Sequence, residues 1–180
     1  MKRILPALLL VMFAVVGCAH RAAIETPKLA ALDKQIAGDP KNAQAFANRG
    51  YALALLGDKP AARADLKRAV ELNGAAPMLN QVGWAYFNLG DAKEALRVWT
   101  QAADLSKRNA RYDYYSLALG YWANRDVARA LENYDLAAKR DERFADWKSL
   151  VERTAEWTDT EKREIQAIYT LWSKTYRPPQ

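Results

Sequence analysis

Residues Gly83–Ala102 read GWAYFNLGDAKEALRVWTQA, and the fold of the chain turns on them. Gly83 and Tyr86 stand three apart before the break Leu89-Gly90-Asp91; Ala95, Trp99 and Ala102 follow at spacings of four and three. The pattern predicts a helix, a tight turn and a second helix, with small residues where the two helices approach closely. Such a hairpin cannot bury its apolar face alone and needs copies on either side.

The copies stand at fixed offsets. Gly83 matches Gly50, 33 residues earlier, and Ala118, 35 later. In the same register Tyr86 matches Leu53 and Tyr121, and Gly90 matches Gly57 and, out of class, Arg125. Ala95 matches Ala62 and Ala130, Trp99 matches Leu66 and Tyr134, and Ala102 matches Ala69 and Ala137. A period of about 34 with this order of small and large residues resembles the tetratricopeptide repeat. An unrelated bundle of alanine-rich helices would not require a fixed offset. The resemblance covers roughly Ala43 to Glu142 and implies an all-α fold, a TPR-type α-solenoid of helix-turn-helix repeats. Its array spans 27–142: a capping half-repeat over 27–40, then full units at 43–74, 76–107 and 111–142. Residues 143–180 are expected to be capping helices or a degenerate fourth repeat.

Composition narrows the function. Among 180 residues there is one cysteine and one histidine, Cys18 and His20, so an internal disulfide, a cysteine zinc cluster and a paired-histidine metal site all lack their parts. The net charge of +6 is spread, with no run of five or six like charges. A nucleic-acid footprint would need a clustered basic face. Ser106, Ser116, Ser149 and Ser173 have no histidine in the body of the chain to activate them, and Glu161 with Glu164 reads as a solvated helix start. An enzyme is not expected, nor any metal or dissociable cofactor.

The amino terminus carries an address. Lys2-Arg3 precedes an apolar stretch, Ile4 to Val16, interrupted by Pro6. At 13 residues it is shorter than the about 20 that span a bilayer and reads as an export signal. It closes on Val15-Val16-Gly17-Cys18, which resembles the bacterial lipobox. The resemblance implies a signal peptide over 1–17, cleavage before Cys18, and a covalent lipid on Cys18. Several acyl chains suffice for stable anchoring. Ala19 follows where Asp would favour inner-membrane retention, so the implied address in a Gram-negative cell is the periplasmic face of the outer membrane. In another cell it is the cell membrane. Residues 18–26 then form a tether, of which the eight residues from Ala19 to Thr26 reach under ~30 Å.

Pro27–Ala37 places Leu29, Leu32 and Ile36 on one helical face and ends at Gly38-Asp39-Pro40. Asp58, Asp91 and Asp126 each stand at a helix start as caps, and Asp91 with Glu94 matches a capping box. Beyond Asp141 the period fades. Phe144, Trp147, Leu150, Val151 and Thr154 keep helical spacing, and Thr158-x-x-Glu161 is a second capping box. The tryptophans here predict either a packed terminus or an exposed patch for a partner or a second copy.

In tetratricopeptide proteins the first helices of the units line a concave groove that takes a peptide. Carried over by register, the groove positions are Asn48 and Tyr51 with Gln44 and Ala47, then Asn80, Gln81, Trp84, Phe87 and Asn88. The third unit adds Tyr112, Tyr115 and Trp122 with Leu119. None is Lys or Arg, unlike the carboxylate-clamp subfamily. Aromatic faces with amides suit an apolar or proline-rich extended peptide, the amides pairing with its backbone, and they could equally stack on sugar rings. The expected function is a membrane-anchored, non-catalytic adaptor that binds an envelope protein or peptide in assembly of an outer-membrane, secretion, pilus or cell-wall complex. Nucleic acid is not expected as a partner. The alternatives are a self-associating spacer built on the C-terminal aromatic helices, hence a homo-oligomer, and a cell-wall glycan binder.

Overall fold

The computed structural model describes residues 28–110 and 112–176. The expected signal peptide, Cys18 and the tether lie outside the described residues. The described residues are helical: α1 over 28–38, α2 Ala43–Leu56, α3 Lys59–Leu72, α4 Ala76–Asn88, α5 Ala92–Leu105, α6 Asp113–Ala123, α7 Val127–Arg140, a 3-10 turn Glu142–Phe144, α8 Trp147–Arg153 and α9 Asp159–Tyr176. None of these helices is long and apolar enough to cross a membrane. They fall into two compact units, Met1–Leu72 and Asn73–Gln180.

Within each unit the helices pair as helix-turn-helix repeats: α2 with α3, α4 with α5, and α6 with α7. The three turns share one geometry. The N–H of Asp58 donates to the Leu53 carbonyl, that of Asp91 to Tyr86 and that of Asp126 to Tyr121, at 2.9–3.0 Å. This is the Schellman bond, in which the residue after a left-handed C′ position closes back on the last helical turn. The left-handed residue is Gly57 at φ 83°, Gly90 at 76° and Arg125 at 67°. Arg125 breaks the glycine column in type and keeps it in conformation, because the turn requires positive φ whichever residue stands there.

The small-residue column sets how closely each pair packs. A Cβ on Gly50 would meet Leu66 Cδ2 at 2.8 Å, and one on Gly83 would run into the indole of Trp99. Gly120, on the opposite side of α6, performs the same service against Leu96 and Trp99 of α5. No column of the repeat pointed to Gly120. It is what lets α6 stack on α5.

The helix starts mostly follow the expected chemistry. Asn42 accepts from the Ala45 N–H at 2.9 Å, Asp58 from Ala61 at 3.3 Å and Asp126 from Arg129 at 3.2 Å. The Asp91–Glu94 capping box does not form: Asp91 makes no side-chain bond to the first turn of α5, and Glu94 pairs forward with Arg97 at 2.8 Å. A guanidinium one turn on competes better for that carboxylate than a backbone amide does. The Thr158–Glu161 box does form, Glu161 accepting from the Thr158 N–H at 2.7 Å and Thr158 Oγ1 from the Glu161 N–H at 3.3 Å.

In the first unit, Arg49 of α2 holds α3 through Asp65 by two bonds of 2.7 and 2.8 Å and holds α1 through Asp33 at 2.7 Å. The second unit is closed by large side chains. Trp99, Tyr134, Phe144, Leu79, Leu117, Leu150, Ile165 and Ile168 are fully buried, and each such burial contributes about 1.5–3 kcal/mol. Here α9 packs on α6 and α7, with Trp172 against Tyr134 at 5.4 Å between ring centres.

Candidate aromatic face and its C-terminal strap

In the first unit, Asn48 is exposed on α2 and accepts from Gln44 Nε2 at 2.9 Å, with Tyr51 half-buried one turn on. The remaining expected groove residues lie in the second unit, on α4 and at or just before α6.

Trp84 is the hub of that second face. Its ring meets Trp99 edge-on at 5.3 Å, Phe87 at 6.2 Å and Tyr115 of α6 at 6.1 Å. Asn80 links the helices: its backbone oxygen accepts from Trp99 Nε1 at 3.1 Å, and its Oδ1 accepts from Ser116 Oγ at 2.9 Å. Gln81 and Tyr112 flank this array half-buried, and burial pushes the Tyr112 hydroxyl above its ordinary range. Phe87 is buried and forms wall more than surface.

The chain's own C-terminal segment sits on this face. Phe144 stacks on Tyr115 at 4.9 Å and is pinned by Tyr134, whose hydroxyl donates to the Phe144 carbonyl at 2.9 Å. Arg153 lies over the Phe144 ring at 4.8 Å and the Tyr115 ring at 5.6 Å. Trp157 packs against Trp84 at 4.9 Å and Tyr115 at 5.9 Å. Asn88 Nδ2 then donates to Glu161 Oε1 at 2.6 Å, Thr158 Oγ1 donates to Asn88 Oδ1 at 3.1 Å, and Trp122 Nε1 donates to Glu164 Oε2 at 3.0 Å. The aromatic residues expected to face a partner thus face a strap of the same chain. Periodicity could not reveal this, since Trp84 and Trp157 lie far apart in sequence.

An open cleft of about 530 Å³ remains beside the strap. Phe87 and Trp122 supply its aromatic lining, Val127 at the start of α7 an aliphatic part, and Arg125, Thr160 and Glu164 its polar part. Sequence reasoning reached Phe87 and Trp122; it did not reach Arg125, Thr160 or Glu164, which become neighbours only when α9 docks. Elsewhere Trp147 and Val151 of α8 are 45% and 41% exposed, with Trp147 5.2 Å from the Tyr169 ring. Among the described residues no three His, Cys, Asp or Glu side chains are placed to hold a metal ion.

Repeating helix pairs with a shared turn and an aromatic face define a helical-repeat fold. The sequence profile of the tetratricopeptide repeat matches residues 43–75 and 76–113, that is, the α2–α3 and α4–α5 pairs up to the start of α6. Its structure is similar to solved structures of MamA. One, "Crystal structure of MamA", is 20% identical, with 82% of this chain and 88% of that chain covered and a TM-score of 0.55. The MamA RS-1 ArsTM double mutant is 18% identical over 86% and 88% at 0.56, and a third MamA crystal structure is 19% identical over 91% and 96% at 0.54. At these identities the likeness is one of fold. The comparison with curated proteins gave no match.

Proposed function

We propose that the protein is a non-catalytic adaptor, held on a membrane by lipid on Cys18, that docks a peptide of an envelope protein on the α4–α6 face. The observation that carries this reading is the cleft of about 530 Å³ at the C-terminal ends of α4 and α6, walled by Phe87 and Trp122 and edged by Arg125, Thr160 and Glu164. Clefts of this size with aromatic walls and few polar groups suit side chains of a bound segment. Tyr and Trp supply anchoring area at low entropy cost. A non-catalytic role accords with how the hydroxyls are used: Ser106 Oγ lies 2.7 Å from Asp113 Oδ2 and Ser116 Oγ donates to Asn80, so both serve structure. No cofactor beyond the lipid belongs to this reading. The periplasmic face of the outer membrane is the address it assigns in a Gram-negative cell, with assembly of an outer-membrane, secretion, pilus or cell-wall complex as the setting.

The test is affinity capture from envelope extract with the wild type and with Val127→Trp. Val127 is exposed at the first position of α7, so the substitution fills the cleft without opening the core. A protein captured by the wild type and lost from the variant is the expected result; the same proteins in both lanes would remove the cleft from the function. Cys18→Ser should move the protein from the membrane to the soluble fraction.

A further inference from the structure

The strap is more than a filler of the α4–α6 face, because its contacts have the form of a bound ligand. It brings one aromatic ring, Trp157, onto Trp84 and Tyr115. Four residues later Glu161 takes the N–H of Asn88, and three further on Glu164 takes the indole N–H of Trp122. The face contributes N–H donors, ring surfaces and the Asn88 amide oxygen; the strap contributes a ring, two carboxylates and the Thr158 hydroxyl. Glu161 and Glu164, three apart, share one face of the first turns of α9, and Trp157 stands two residues before that helix starts. Carboxylate acceptors make these bonds stronger than neutral ones.

The strap is also built to lift locally. Before it, Phe144, Leu150 and Thr154 are fully buried; after it, Ile165, Ile168 and Trp172 are buried against the unit. Between these anchors Ala155, Glu156, Asp159 and Thr160 are exposed, and Trp157, Thr158, Glu161 and Glu164 hold the segment to the face. Opening of this segment leaves the core of the unit in place, as in other local openings of exposed, sparsely anchored segments.

We infer that Trp157–Glu164 is an internal ligand of the α4–α6 face, and that the partner peptide carries its pattern, an aromatic residue followed by carboxylates four and seven positions on, and binds by displacing it. This rests on the adaptor reading above and names the class of peptide and its control: the partner's second carboxylate takes the place of Glu164 against Trp122, where the cleft borders the face. A tethered competitor acts at high effective concentration. A strap open about 1% of the time weakens an added peptide about a hundredfold.

The probe is a fluorescein-labelled peptide of residues 154–166, TAEWTDTEKREIQ, titrated by fluorescence anisotropy into the full chain. Three proteins are compared: wild type, Trp157→Ala with Glu161→Gln, and that pair with Asn88→Asp added. Gln at 161 keeps the helix-start box of α9, so the loosened strap remains attached to a folded unit. Circular dichroism melts verify this for each variant. The expected result is binding to the loosened variant at least about tenfold tighter than to wild type, lost again when Asn88→Asp sets a carboxylate against the peptide's Glu161. Equal affinity for wild type and the loosened variant, or no binding to either, overturns the inference. Its failure is distinct from failure of the adaptor reading. Partner capture that depends on an open cleft, with no peptide binding, sinks only the internal ligand. Peptide binding that follows the strap, with capture indifferent to Val127→Trp, sinks only the cleft.

Discussion

The α2–α3 and α4–α5 pairs share one repeat geometry and close it with different chemistry. Opposite Gly50 stands Leu66, whose Cδ2 and Cγ a new Cβ would meet at 2.8 and 2.9 Å, with the Ala62 carbonyl oxygen at 3.2 Å. Opposite Gly83 stands Trp99, 1% exposed, with its indole nitrogen committed to the Asn80 carbonyl. The α2–α3 pair adds a charged tie through Arg49, and the α4–α5 pair adds Trp84 and Phe87 against Trp99. All six tryptophans of the chain lie in the Asn73–Gln180 unit. The repeat therefore fixes where a large residue must meet a small one, while the choice of large residue decides whether a pair is adaptable or rigid. The rigid pair carries the aromatic face.

A matched pair of substitutions separates the two closures with the largest effect. Gly83→Ala should cost about 1–3 kcal/mol, because the Trp99 ring cannot yield. Gly50→Ala should cost less, because Leu66 can swing and alanine gains about 0.5–1 kcal/mol over glycine inside a helix, although the Ala62 carbonyl oxygen at 3.2 Å stays fixed. Urea unfolding followed by tryptophan fluorescence for the first, and by far-ultraviolet circular dichroism for the second, measures both. Equal costs would mean that the two closures do not differ in rigidity.

Next in size is the charged tie. Arg49→Met leaves the buried Asp65 carboxylate without its guanidinium. The loss should be about 1–2 kcal/mol, below that of a fully buried pair because Arg49 keeps a quarter of its side chain in water. The circular dichroism transition should shift while the tryptophan transition of the other unit holds. A shift of both would show that the tryptophans do not report their own unit alone.

The smallest effect is a gain. Arg125 holds the left-handed turn position that glycine fills in the other two repeats. Arg125→Gly should stabilise the second unit by about 0.5–1 kcal/mol, read from the same urea curves. A loss would mean that the Arg125 side chain contributes more than its backbone strain removes.

These residues also mark what could be read from the sequence. The turn column was legible through Gly57 and Gly90, and Arg125 still occupied its place, because turn geometry is a local property of a few consecutive residues. The pairing of Gly83 with Trp99 was legible for the same reason: the repeat fixes their spacing. Asp91 shows the limit of local reading, since a cap that fits the pattern lost Glu94 to Arg97. The aromatic and amide residues of α4 and α6 were legible as a set, but not the strap that covers them. Asn88 finds Glu161 and Trp122 finds Glu164 only after a chain with no repeat period has folded back. Arg49 was missed likewise, because its partners Asp33 and Asp65 sit on two other helices.

As an internal ligand, the strap must open by itself over an otherwise closed unit. Native-state hydrogen exchange of the wild type and of Asn88→Asp, resolved by peptide mass spectrometry, tests it most directly. Asn88→Asp places a carboxylate against Glu161 without removing any buried apolar group. The account predicts faster exchange across 155–164 in the variant, with 165–176 still protected by Ile165, Ile168 and Trp172. Unchanged exchange across 155–164, or loss of protection along the whole of α9 at once, would contradict it.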